Sequence, residues 1–233
     1  MRINYYNSAK KNELLKNSTE LFDCFKMNYI FFIIVILCIY ILNYFNKTRY
    51  SYITSLSSFI LAVLIGWFVH FISHAFDFEE IYENTDIWIF KFLKSYPTLD
   101  NIIHNTILYT FDFHDKIHHD SKINKQPLNV IIETLQNILT QGGLLILLSL
   151  ITDINLDRTA IVLWGLMYAT VHNFNYFLVG NSQHRNHHID PKTNYALDVF
   201  DIMFDTKYDL NNIENLNLNW GFNMIIITCF IIY

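Results

Sequence analysis

Two unbroken apolar runs constrain what this chain of 233 residues can fold into. Residues 27–45, MNYIFFIIVILCIYILNYF, carry no charge, and residues 53–76, ITSLSSFILAVLIGWFVHFISHAF, hold only His70 and His74 as ionisable groups. As helices rising about 1.5 Å per residue, both can cross about 30 Å of hydrocarbon. A weaker third run covers 128–151, and a fourth, TAIVLWGLMYATVHNFNYFLVG, covers 159–180. The expected fold is therefore all-α: a polytopic membrane bundle of about four transmembrane helices with a cytosolic histidine-rich cap. It divides into an amino-terminal tail (1–26), a first anchor and hairpin (27–52), a main domain (53–217) and a hydrophobic carboxy-terminal segment (218–233). That last segment, NWGFNMIIITCFIIY, is read as a short fifth span or a re-entrant helix. The tail is polar and ends in no small-residue cleavage site, so the first run is expected to stay as an anchor.

Charge sets the expected orientation. The tail holds five lysines and arginines, residues 77–127 five and residues 181–219 three, which makes 13 on one side. Lys47, Arg49 and Arg158 make three on the other, so the positive-inside bias places the tail and both long loops in the cytosol. Cys24, Cys38 and Cys229 lie far apart with no CxxC pair, which argues against a disulfide framework and against a thiolate zinc site. No basic patch points to nucleic acid.

Ten histidines remain to be explained, and eight fall into three groups. HFISH closes the second run with His70 and His74 four residues apart, on one helical face. HDKIHH holds His114 and His118 at the same spacing, with His119 about 100° further round a helix. QHRNHH places His187 and His188 three and four residues after His184, again on one face. The charge count puts all three groups on the same side of the membrane. His172 lies inside the fourth run, where an ionisable residue is costly and usually has a partner in the bundle interior. His104 stands alone and reads as a hydrogen-bonded interfacial residue.

Eight or nine neutral imidazoles exceed the four ligands of one tetrahedral zinc and suit two ions. Imidazole accepts iron, zinc and copper alike. A cytosol-facing pair of ions with open positions suits iron that binds and reduces O2, and the adjoining membrane suits a long-chain lipid substrate.

HFISH, HDKIHH and QHRNHH, in that order with spans between them, resemble the HxxxH, HxxHH and HxxHH boxes of the fatty acid hydroxylase and sterol desaturase superfamily. The stretch HHIDPKTNYALDVFDIMFDT, His187 to Thr206, is similar to that family's downstream segment. The resemblance covers roughly Gly66 to Asp209. It implies an O2-dependent membrane oxidoreductase of the endoplasmic reticulum, which hydroxylates or desaturates a sterol, fatty acyl or sphingolipid substrate. Its cofactor is then two iron ions, replaceable by zinc on purification, with electrons from external cytochrome b5 and a reductase. The implied ligands are His70, His74, His114, His118, His119, His184, His187 and His188, with His172 as a ninth.

This chain departs from the family pattern at three places. His114 is separated from the following pair by three residues rather than two. The fourth run reads HNFNY where many members have a further HxxxH box. Ala196, Phe200 and Asp205 stand where Gly, Trp and Gly are usual. Asn175 is positioned to hold His172 in one tautomer, and Asp120 or Asp115 to accept the outer N–H of a ligand ring. The segment 81–113 alternates aromatics with charges and is expected to form an amphipathic interfacial helix. Alternative readings are a desaturase of the plasmalogen-forming type, a carotenoid hydroxylase, a non-catalytic metal-binding scaffold and a metal transporter.

Overall fold

The computed structural model describes residues 18–233, apart from the side chains of residues 177 and 178; residues 1–17 of the expected tail lie outside the described residues. Eleven helices follow one another with no strand among the described residues: α1 (Ser18–Met27), α2 (Tyr29–Tyr44), α3 (Tyr52–Ala75), α4 (Phe78–Asn84), α5 (Trp88–Lys94), α6 (Pro97–Thr110), α7 (Pro127–Thr152), α8 (158–179), α9 (Ser182–Ile189), α10 (Asp198–Met203) and α11 (Asn219–Ile232). A π-helical turn, Phe113–His118, lies between α6 and α7.

Helices α3 and α7 are each long and apolar enough to cross a membrane, and α1 with α2, bent by 65° between them, makes a third if the pair is one span. The bend falls at Asn28, whose side chain donates to the Glu214 carbonyl at 2.9 Å and accepts from the Leu216 amide at 2.8 Å. Those bonds tie the start of α2 to the segment before α11. In α2, Phe31, Val35, Cys38, Ile39 and Leu42 are buried on one face, while Ile33, Ile36, Leu37 and Tyr40 stay exposed on the other. A helix that is apolar all round is suited to lipid on its outer face.

The expected fourth span, α8, is largely covered by the other helices. Helix α8 is not among the helices apolar enough to cross a membrane by themselves. It carries His172, Asn173 and Asn175, which lower its hydropathy, and it is the most enclosed helix: Ile161, Leu163, Trp164, Met167 and Val171 are fully buried. Helices α3, α7 and α11 pack around it, and α11 also packs along α2. At 14 residues, about 21 Å, α11 is short for a span. Asp157 caps α8, accepting from the Thr159 and Ala160 amides. Likewise the expected interfacial helix over 81–113 is three short helices, α4 to α6, because Thr85 and Tyr96 are extended and Pro97 can only begin a helix.

Small residues and one buried amide lock the bundle. The backbones of α7 and α8 approach closely at Gly142 and Gly165, a packing mode common between apolar helices. Nearby, Gln141 of α7 accepts from Trp164 Nε1 of α8 at 3.2 Å and donates to the Gly66 carbonyl of α3 at 3.2 Å. The chain direction of these helices sorts the ends of the bundle. Thr159 Oγ1 donates to the Lys47 carbonyl, so Lys47 and Arg158 share one end. His70 and His74 are at the far end of α3, and His172 toward the far end of α8.

A methyl group at Gly66 would come within 1.9 Å of Gln141 Oε1. Gly66→Ala is expected to push that amide off both partners and destabilise the protein by about 1–3 kcal/mol, the usual penalty for buried groups left without hydrogen bonds. Thermal unfolding in detergent checks this; an unchanged midpoint would show that the three-helix amide lock contributes nothing.

Candidate metal centre

Helix geometry delivers the ligands. The four-residue spacing puts His70 and His74 on one face of α3, and α9, capped by Asn181 through the Gln183 and His184 amides, presents His184, His187 and His188. His114, His118 and His119 belong to the π-helical turn and the residue after it. A π turn absorbs one extra residue per turn, which accommodates the three-residue gap after His114. His172 sits in a second π-helical turn, Val171–Asn175, within α8. Asn137 of α7 donates to Asn173 Oδ1 at 3.1 Å, and Asn173 donates to Thr134 Oγ1 at 2.9 Å, clamping the two helices at this level.

All nine histidines come together, in two adjoining sets. In the first, His187 Nε2 lies 3.1 Å from His70 Nε2, 3.1 Å from His74 Nε2, 3.4 Å from His114 Nε2 and 3.2 Å from His119 Nε2. His70 Nε2 and His114 Nε2 are 2.8 Å apart. Nitrogens bound about 2.1 Å from one ion lie about 3.0 Å apart at right angles and about 3.4 Å apart at the tetrahedral angle.

Hydrogen bonds at the outer side of the rings fix which nitrogen is bare. His187 Nδ1 donates to the Thr193 carbonyl at 2.6 Å, His74 Nδ1 to Asp115 Oδ1 at 2.9 Å, and His70 Nδ1 to the Tyr195 carbonyl. Those oxygens only accept, so each of the three rings carries its hydrogen on Nδ1 and turns a bare Nε2 lone pair inward. Three converging lone pairs repel one another in the absence of a cation. This arrangement fits a metal ion.

In the second set, His188 Nε2 lies 3.0 Å from His118 Nε2 and 3.1 Å from His184 Nε2. The ring of His172 is 4.5 Å from that of His184, centre to centre, and stacks on Tyr168. His118, His172 and His184 are close enough to share one ion. The sets join through ring contacts, His114 stacking on His118 and His119 on His188.

Glu133 of α7 is a member of the site that the histidine pattern did not reveal. Its Oε1 lies 3.0 Å from His118 Nδ1 and 3.3 Å from His172 Nε2, and the side chain is largely buried. The available signal was a lone carboxylate in the third apolar run, since ionisable residues inside spans are rare and usually functional. Of the carboxylates within and just after HDKIHH, Asp115 meets a ligand ring, whereas Asp120 accepts from the Lys122 amide in a local turn. Asn175 also lies away from His172: its Oδ1 accepts from Asn223 of α11 at 3.4 Å. His104 sits apart, 2.7 Å from Glu79.

A buried carboxylate holds the loop that carries the outer acceptors. Asp201 accepts from Trp67 Nε1 at 3.0 Å, the Tyr195 amide at 3.0 Å and Thr206 Oγ1 at 2.8 Å. Burial pushes its pKa up to about 6 against those hydrogen bonds. Asn194 enters the left-handed region at φ 53° and donates to the Gln183 carbonyl, fastening the same loop to α9. Burial, and then neighbouring imidazoles, hold His114, His119 and His184 well below the ordinary imidazole pKa, and lower His188 to about 4. These rings are neutral at physiological pH, the form that binds metal.

Two cavities reach the centre. One of about 190 Å³ is lined by His118, Glu133, His172, His184 and His188 and by the polar Asn124 and Lys125. The other, about 310 Å³ and mostly apolar, runs between α3, the π turn and α7 past Phe78, Phe111, Leu139 and Leu144 to His70, His114 and Glu133.

Two equivalents of metal are expected per chain, and His187→Ala is expected to lose the ion of the first set while His188→Ala loses that of the second. Elemental analysis of the purified variants checks this; full metal content in both would contradict the assignment. Compared with known proteins, the chain matches no family model, no curated protein and no solved structure.

Proposed function

We propose that this protein is an O2-dependent membrane lipid hydroxylase or desaturase working through two histidine-held iron ions. The observation that carries the reading is the apolar cavity of about 310 Å³ that ends on His70 and His114, members of the ligand set whose lone pairs converge. A concave apolar channel ending on a few polar groups is the usual form of a small-molecule site. The flanking helices α3 and α7 are long and apolar enough to border hydrocarbon, so a sterol, fatty acyl or sphingolipid chain can enter sideways. When bound, the iron pair supplies what side chains lack, the activation of O2 for attack on an unactivated C–H bond.

The chain's own residues then have three tasks. Asp115 and the Thr193 and Tyr195 carbonyls orient His74, His187 and His70. Phe78, Phe111, Leu139 and Leu144 exclude water from the substrate's path. Ser73, Thr110, Gln136 and Thr140 offer the few polar contacts that can fix a lipid's position. In hydroxylation one oxygen atom enters the C–H bond and the other leaves as water, with electrons from a cytochrome b5-type donor and its reductase. On this reading the protein is a multi-pass protein of the endoplasmic reticulum, its centre facing the cytosol, in line with the 13 to 3 bias in lysine and arginine.

One observation weighs against a transporter. Apart from Arg158 at its start, the acidic, basic and histidine residues of α3, α7 and α8 are His70, His74, Glu133 and His172, all toward the histidine end. A transport path needs such groups through the depth of the spans.

Cells expressing the protein are expected to gain a hydroxylated or newly unsaturated lipid that requires O2 and disappears with His70→Ala. An iron-loaded protein with no lipid change across a wide panel would favour the scaffold; metal uptake into vesicles would favour a transporter. Thr140→Phe, which narrows the apolar cavity, is expected to lower product about tenfold or more with both metal equivalents retained, a deficit of about 1.4 kcal/mol in transition-state binding. Normal product formation in that variant would place the substrate elsewhere.

A further inference from the structure

The end of the bundle away from the histidines has a cavity of its own. The loop 46–50, which joins α2 to α3, and residues 157–159, where α8 begins, border a space of about 440 Å³. Backbone bonds fix that border: the Lys47 amide donates to the Leu42 carbonyl at 3.0 Å, and the Lys47 carbonyl accepts from Thr159 Oγ1 at 3.0 Å. Lys47, Arg49 and Arg158 all line the cavity. Of the 16 lysines and arginines in the chain, they are the three that the charge count sets apart from the rest. None of them forms an ion pair among the described residues. The one carboxylate in the lining, Asp157, is buried and accepts from the Thr159 and Ala160 amides, so the lining carries a net charge of +2. Cations that merely reached for water would have no reason to converge from two distant segments on one space.

We propose that this cavity binds a phosphate group, and that its occupant is the headgroup of a membrane phospholipid whose acyl chains lie against α2 and α3. The inference is independent of the histidine centre. Two guanidinium groups supply paired donors that match phosphate oxygens, and the Lys47 ammonium adds a compact charge. Arg49 rests over the Tyr50 ring, 5.6 Å from its centre, and both line the cavity. Thr48 adds a hydroxyl whose oxygen accepts from the Tyr50 amide at 3.1 Å and whose proton meets no acceptor among the described residues. Position selects a lipid as the source of the phosphate. Helix α3, long and apolar enough to span, starts at Tyr52 directly after the loop, and Tyr44 and Phe45 just before it expose their rings. Aromatic side chains collect where hydrocarbon gives way to headgroups, and basic pockets between spanning helices take headgroups at that level. Further along the same helices Leu37, Tyr40, Ile53 and Ile60 are exposed, an apolar surface for the chains of the same lipid.

The full chain, purified in a neutral detergent and washed free of lipid, can be offered phosphatidylglycerol, phosphatidylcholine, diacylglycerol or inorganic phosphate, with native mass spectrometry counting what each molecule retains. One phospholipid per chain is expected with either headgroup, because the phosphate is the part recognised, and diacylglycerol is expected to bind about tenfold or more weakly. The triple variant Lys47→Gln, Arg49→Gln, Arg158→Gln is expected to lose about tenfold or more in phospholipid affinity while its metal content stays that of wild type. Lys122→Gln with Lys192→Gln, which removes two exposed lysines from the histidine end, is expected to leave phospholipid binding unchanged. Equal retention of phospholipid and diacylglycerol would overturn the proposal, as would a triple variant that holds phospholipid like wild type or a loss just as large in the histidine-end variant. Retention of inorganic phosphate with no phospholipid would overturn the lipid assignment and leave a site for a free anion. If the triple variant does not fold, the wild-type comparison of phospholipid with diacylglycerol decides.

Discussion

Hydrogen bonds on the far sides of their rings hold the imidazole lone pairs of His70 and His74 facing that of His187, each at 3.1 Å. Much else in the structure serves that arrangement. Asp201 fastens the Tyr195 backbone, and Tyr195 in turn fixes His70. The Asn194 side chain ties the Thr193–Tyr195 loop to α9, which carries His187. The repulsion between bare nitrogens is relieved when a cation sits among them. A chain selected only for stability would fill this end of the bundle with hydrocarbon, since buried polar groups without partners cost stability.

The helical bundle is the frame for this end. Helix α8 forms its axis, with α3, α7 and α11 around it, and it is the helix least in need of lipid because its own neighbours cover it. Close glycine contacts bring α7 against α8, and Gln141 joins α3 to both. That closeness has a functional consequence. It places Glu133 of α7 beside His118 and His172, and it leaves an apolar gap between α3 and α7 rather than between α7 and α8. Packing and site geometry are thus one problem.

What could be read from the sequence was what depends on local spacing. Helix α3 runs within a residue of the expected second run, and the histidines at i and i+4 share faces because helical periodicity alone requires it. What could not be read depended on contacts between elements. A regular helix puts Asn175 beside His172, whereas in the structure Asn175 lies at the end of a π turn and accepts from Asn223. Asp120 and Asp115 look alike in sequence, and only the path of the π turn decides that Asp115 reaches a ligand ring. The run at 159–180 reads as a span because long apolar stretches do, whether lipid or protein covers them. Glu133 was legible only as an anomaly, a charge with no companion in its own segment.

The central claim, that these nine histidines hold two ions in two distinct sets, is tested most directly by locating metal in the intact protein. Anomalous scattering from crystals of iron- or zinc-loaded protein should give two peaks, one among His70, His74, His114, His119 and His187 and one among His118, His172, His184 and His188. A single peak, or density only at Glu79, Glu83 and His104, would contradict it.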